Sequence, residues 1–151
     1  MPQIIQHEIE INVSPDRAWQ ALCDFAGYSG WNPFIRSVSG DLVEGARLNI
    51  NLACGGDRQM VFTPTLLAVE PEHRLVWLGS LYVPGLFDGE HHFEIEALNN
   101  NKVRFRQCEY FSGLLSNVLL KFIGRQTLAG FKSMNLALKN KLEKDILMEV
   151  V

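Results

Sequence analysis

Two adjacent histidines in "FDGEHHFEIEA" (Phe87 to Ala97) are the side chains best suited to exchange protons near neutrality. Read as a strand, the segment puts Phe87, Gly89, His91, Phe93, Ile95 and Ala97 on one face, and Asp88, Glu90, His92, Glu94 and Glu96 on the other. His91 then points inward among aromatics, and His92 points to solvent. The same test finds few other inward polar groups. His7 lies between Ile5 and Ile9, Gln107 and Glu109 follow Val103 and Phe105 in "KVRFRQCEYF", and Asn135 stands beside Met134 on a helical stripe. An imidazole or carboxylate buried without a partner costs several kcal/mol, so each needs another polar group, a water or a ligand. Convergence on one cavity would satisfy them together.

The chemistry open to these residues is of three kinds. His91 can be a hydrogen-bonded core residue, a ligand contact or a proton-transfer group. Glu109 can sit at a solvent rim or, with Gln107, anchor the polar head of an apolar ligand. Asn135 can tie helix to sheet or touch that ligand. His91 and Glu109 are therefore the candidate catalytic residues. His7, His91 and Glu109 form a metal triad only on paper, since no local spacing such as H-E-x-x-H supports it, and no metal is expected. "CGGDR" (Cys54 to Arg58) is a glycine turn without a following helix to hold phosphate, there is no G-x-S-x-G elbow, and no cofactor is expected. Cys23, Cys54 and Cys108 are scattered and unpaired in sequence, which fits small packing residues in a reducing compartment.

These residues must be positioned by a single domain spanning 1–151, with 47% hydrophobic and 21% charged residues. A net charge of -3 and a pI near 5.8 argue against a nucleic-acid partner. No apolar run is long enough to span a bilayer, and "MPQIIQHEIE" lacks a signal-peptide pattern, so a cytoplasmic protein without stable membrane insertion is expected. Gln3 to Val13 alternates as a half-buried strand. Ser14, Pro15 and Asp16 open a short helix, and "AGYSGWNPF" offers one further helical turn that ends at Asn32–Pro33. Six more strands are expected near 35–40, 47–53, 59–69, 74–81, 87–97 and 102–111. Beyond Gly113, a stripe from Leu114 to Leu142 marks a helix of about eight turns. Its first half, "SGLLSNVLLKFIGRQTLAGF", carries too few cations for a membrane-surface helix and reads as core. "LYVPGLFDG" (Leu81 to Gly89) reads as a hairpin tip, a lid over the pocket mouth or a contact patch for a partner.

The whole is an α+β fold: a seven-stranded curved antiparallel sheet wrapped around a long C-terminal helix, with two short helices after the first strand. In the order and spacing of "INVSPDRAWQALCDFAGYSGWNPFI", "GEHHFEIEAL", "FRQCEYFSGLL" and "LAGFKSMNLALKNKLE", the chain resembles the START-like or SRPBCC superfamily. Within it, the resemblance is to the bacterial polyketide cyclase/dehydrase and lipid-transport type. It implies a helix-grip fold and a cavity between sheet and helix for a small hydrophobic molecule such as a lipid, isoprenoid or aromatic metabolite. It also allows a cyclase or dehydratase in which His91 or Glu109 moves protons. A chaperone-cofactor-like interaction module is a third possibility. The residues expected on the cavity wall are Trp31, Phe62, Trp77, His91, Phe93, Phe105, Phe131, Met134 and Leu138, with Gln107, Glu109 and Asn135 as its polar points. Trp31 belongs to a loop that looks like the one bordering the entrance in related proteins. A monomer or homodimer is expected.

Overall fold

Alternating apolar residues make Gln3–Ile11 a strand (β1), the first element of a computed structural model that describes residues 3–81 and 83–150. Helix α1 (Pro15–Cys23) begins where the Ser14 hydroxyl accepts a hydrogen bond from the Arg17 N–H at 3.3 Å. A 3-10 stretch, Phe25–Gly30, stands in place of the expected second short helix. The chain continues through strands β2 (Ile35–Ser39), β3 (Asn49–Ala53), β4 (Gln59–Phe62), β5 (Thr65–Glu70), β6 (Arg74–Ser80), β7 (Asp88–Asn99) and β8 (Lys102–Ser112), and then enters α2 (Ser116–Val150).

The expected seven-stranded sheet is instead two sheets: five strands in the order β1-β8-β7-β6-β5, and three in the order β2-β3-β4. The extra strand arises because the run 59–69 breaks at Thr63–Pro64, where proline has no N–H to continue the ladder. β4 therefore pairs with β3, while β5 pairs with β6. The sheets stay joined across the break: Leu48 N–H donates to the Pro64 carbonyl, and Leu66 N–H to the Ala46 carbonyl, each at 2.8 Å.

The inner face of the five-stranded sheet meets α2. Phe93, Val103, Phe105, Phe131, Met134 and Leu138 are fully buried there, and α1 closes one end through Ala18 and Leu22. On the outer face the register sets Arg106 between Glu8 and Glu94, and Arg104 between Glu10 and Glu96, giving charge ladders across β1, β8 and β7. His92, expected in solvent, is half-buried on that face against the Tyr110 ring, with Nε2 3.2 Å from Glu90. No helix among the described residues is long and apolar enough to cross a membrane.

The first half of α2 also departs from expectation. Its apolar residues cover more of the circumference than one face can bury, so Leu119 and Ile123 turn inward while Val118 and Phe122 (76% exposed) remain in solvent, as does Leu114 (87%) in the turn just before the helix. The reading of the whole stripe as core holds only from Phe131 onward.

Candidate ligand cavity and the buried polar chain behind it

Between the small sheet, the near ends of β6, β7 and β8, and the first half of α2 lies a cavity of about 250 Å3. Phe34, Leu52, Met60 and Phe62 wall one side, Phe87 and Phe111 another, and Leu119 and Ile123 close it from the helix. Ser80, Cys54, Gln126 and Thr127 add small polar points. Among the described residues that line it, Glu109 carries the single charge.

Two glycines shape this space. Gly89 lies diagonal to Glu109 across the β7–β8 pair, and a Cβ there would come within 2.8 Å of the Glu109 Oε1 atom. The missing side chain is what lets the carboxylate lie in the cavity wall. Gly113 has φ +106° at the joint between β8 and α2, and a Cβ there would come within 2.6 Å of the Leu86 carbonyl oxygen. That close approach ties the β6–β7 loop to the helix start: Leu114 N–H donates to the Gly85 carbonyl at 3.1 Å, and Leu115 N–H to that of Leu86 at 2.9 Å. The oily segment "LYVPGLFDG" is thus folded onto the start of α2, with Leu81 and Phe87 in the wall; Tyr82 lies outside the described residues.

Behind Glu109 runs a continuous polar chain through the core. Cross-strand register puts His91 opposite Glu109, and Gln107 opposite both Phe93 and His7. His91 Nδ1 is 3.7 Å from Glu109 Oε1, and its Nε2 is 3.1 Å from Gln107 Oε1. Gln107 Nε2–H donates to Asn135 Oδ1 at 2.8 Å. Asn135 Nδ2–H donates to the His7 carbonyl at 3.1 Å and lies 2.9 Å from His7 Nδ1. The His91 ring is clamped by Trp77 stacked at 5.6 Å, Phe93 at 4.3 Å and the edge of Phe131 at 5.1 Å. Burial, and then the charge of Lys132, lower the His7 pKa from its ordinary 6.5, against the opposing pull of Glu8. Burial likewise pushes the Cys23 thiol up to about 12 and raises that of Cys108, which suits packing rather than nucleophilic roles.

Of the residues expected on the wall, Phe62 and Glu109 line this cavity. Trp77, Phe93, Phe105, Phe131, Met134 and Leu138 fill the solid core beside it, none more than 2% exposed. His91, Gln107 and Asn135 reach it only through Glu109. Trp31 is elsewhere, packed on Tyr28 and bordering a depression with Lys141 and Lys144 near the far end of α2. Sequence reasoning misses Phe87 and Phe111 although alternation puts them on the face of Gly89 and Glu109, and it misses Leu119 and Ile123 although both lie on the helical stripe. Leu52 and Met60 carry no signal beyond being apolar. No group of three His, Cys, Asp or Glu side chains among the described residues is arranged to hold a metal.

Solved structures of the same fold are numerous. The Zhui aromatase/cyclase from Streptomyces sp. R1128 superimposes with a TM-score of 0.77 at 12% identity, over 97% of this chain and 96% of that one. Norcoclaurine synthase from Thalictrum flavum, solved in complex with dopamine and hydroxybenzaldehyde, gives 0.70 at 13% identity, over 95% and 88%. A START superfamily protein from Mycobacterium smegmatis gives 0.71 at 17% identity, over 93% and 97%. At such identities the likeness carries the fold alone. No curated protein matches the sequence significantly. Residues 2–143 match the family described as "Polyketide cyclase / dehydrase and lipid transport", and with that match over nearly its whole length the chain belongs to this family.

Proposed function

We propose that the chain binds one small, largely apolar molecule in the cavity between β3–β4 and the first half of α2, with Glu109 as its polar contact. The observation that carries this reading is a wall of aliphatic and aromatic side chains interrupted by one carboxylate, the usual composition of a small-molecule site. At about 250 Å3 the cavity is smaller than the roughly 300–1,000 Å3 of most such sites, which suits a ligand of one or two rings or a short isoprenoid segment. Membership of a family whose description joins cyclases to lipid transport supports the same class.

A catalytic reading has one observation in its favour. His91 stands directly behind Glu109, so a carboxylate that accepts a proton from a bound substrate would have an imidazole at its back. Glu109 would then be the catalytic residue and His91 a positioning one. A cyclase or dehydratase of this kind keeps binding but loses turnover on Glu109→Gln, whereas a carrier has no turnover to lose.

The binding reading is tested with Ile123→Trp, which fills the cavity from the helix side without touching the core. Gently purified wild-type protein should retain or take up one small apolar molecule in native mass spectrometry, and the variant should not. Equal occupancy of the two would place the ligand elsewhere.

A further inference from the structure

Building on the cavity reading, we propose that the ligand's buried polar group is a hydrogen-bond donor (a hydroxyl, a phenol or an amine) and that the site rejects carboxylates. At the far end of the buried chain the His7 carbonyl oxygen can only accept, so the amide nitrogen of Asn135 must face it. Asn135 Oδ1 is thereby turned to Gln107 and takes a hydrogen from its Nε2, which turns Gln107 Oε1 to His91. Nothing but an N–H satisfies that oxygen, so His91 carries hydrogen on Nε2 and presents Nδ1 to Glu109.

The direction of the chain fixes what Glu109 offers to the cavity. At 3.7 Å the His91 Nδ1 lies beyond hydrogen-bond reach of Oε1, so the oxygens of Glu109 keep lone pairs free to accept. No described residue donates a hydrogen bond to Glu109, the His91 Nδ1 lying 3.7 Å away, although its side chain is only 19% exposed. The free acceptor is left for water or a ligand to satisfy, and the space in front of it is the cavity. A ligand hydroxyl or amine supplies what is missing. A ligand carboxylate instead sets acceptor against acceptor, and no lysine or arginine lines the cavity among the described residues to bridge the two. Free fatty acids and aromatic acids are therefore poor ligands, while alcohols, phenols and amines of the same skeleton are good ones.

The test uses three probes with one ring system: 2-naphthol, 2-methoxynaphthalene and 2-naphthoate, titrated calorimetrically near neutral pH into the wild type and Glu109→Gln. In the wild type, naphthol should bind about tenfold or more tighter than either of the others, the size of one hydrogen bond to a charged group. In Glu109→Gln, naphthoate should gain and the gap to naphthol should close to about threefold or less. Naphthoate binding the wild type as tightly as naphthol overturns the donor assignment and leaves the cavity reading intact. Failure of all three probes to bind overturns the cavity reading, and this inference with it.

Discussion

His7 ends the buried chain, and at this side chain pH acts on it directly. Its Nδ1 faces an Asn135 N–H, so a proton there would set two donors against each other, in keeping with a pKa lowered by burial and Lys132. The unfolded chain binds that proton near 6.5, the folded chain only at lower pH. As pH falls through 6.5 the unfolded state takes up the proton first, so His7 withdraws stability until the folded pKa is reached, and the loss is then constant. His7→Asn retains an acceptor for Asn135 but does not titrate. Urea unfolding should show the wild type losing stability relative to His7→Asn as pH drops from about 7.5 to about 5.5. Parallel curves for the two proteins would show that His7 binds its proton equally well folded and unfolded. The inward direction of His7, His91, Gln107 and Asn135 was legible from alternation and helical spacing. That they join one another rather than ringing a void was not, because a face assignment carries no information about what lies across from it.

Among the elements, α2 owes one contact to a residue that weakens it as a helix. A Cβ on Gly130 would overlap the ring of Phe34, which lies across the helix at this point, packs edge-on against Phe131 at 5.9 Å and lines the cavity. Helix propensity alone favours Gly130→Ala by about 1 kcal/mol. Displacing a packed aromatic ring costs about 1–3 kcal/mol, so the substitution should be destabilising or at best neutral in urea unfolding, and it should weaken 2-naphthol binding several-fold by moving Phe34. A variant stabilised by about 1 kcal/mol with unchanged binding would show that the ring has room to move. The elements themselves were largely legible: β1, α1, β6, β7, β8 and α2 lie within a few residues of their sequence positions. The division of 59–69 into β4 and β5 was not, although Pro64 was its local cause, because an apolar run on both sides of a proline reads as one strand until its partners are known.

Across the whole molecule, the division into two sheets leaves the cavity where β3 and β4, the ends of β7 and β8, and α2 come together. The family and the sheet-on-helix architecture could be read from the order of strands and the final helix. The place of the cavity could not, since Phe131, Met134 and Leu138 are as apolar as Leu119 and Ile123 and share their helical stripe. Only packing separates the filled part of that stripe from the hollow part. The most direct test is an isotope-filtered nuclear Overhauser measurement on labelled protein with unlabelled 2-naphthol. Cross-peaks from the naphthol ring to the methyl groups of Leu52, Met60, Leu119 and Ile123, with none to Met134 or Leu138, are the expected result. Cross-peaks confined to the outward Leu114 and Val118 would contradict it and place the ligand on the surface of the helix.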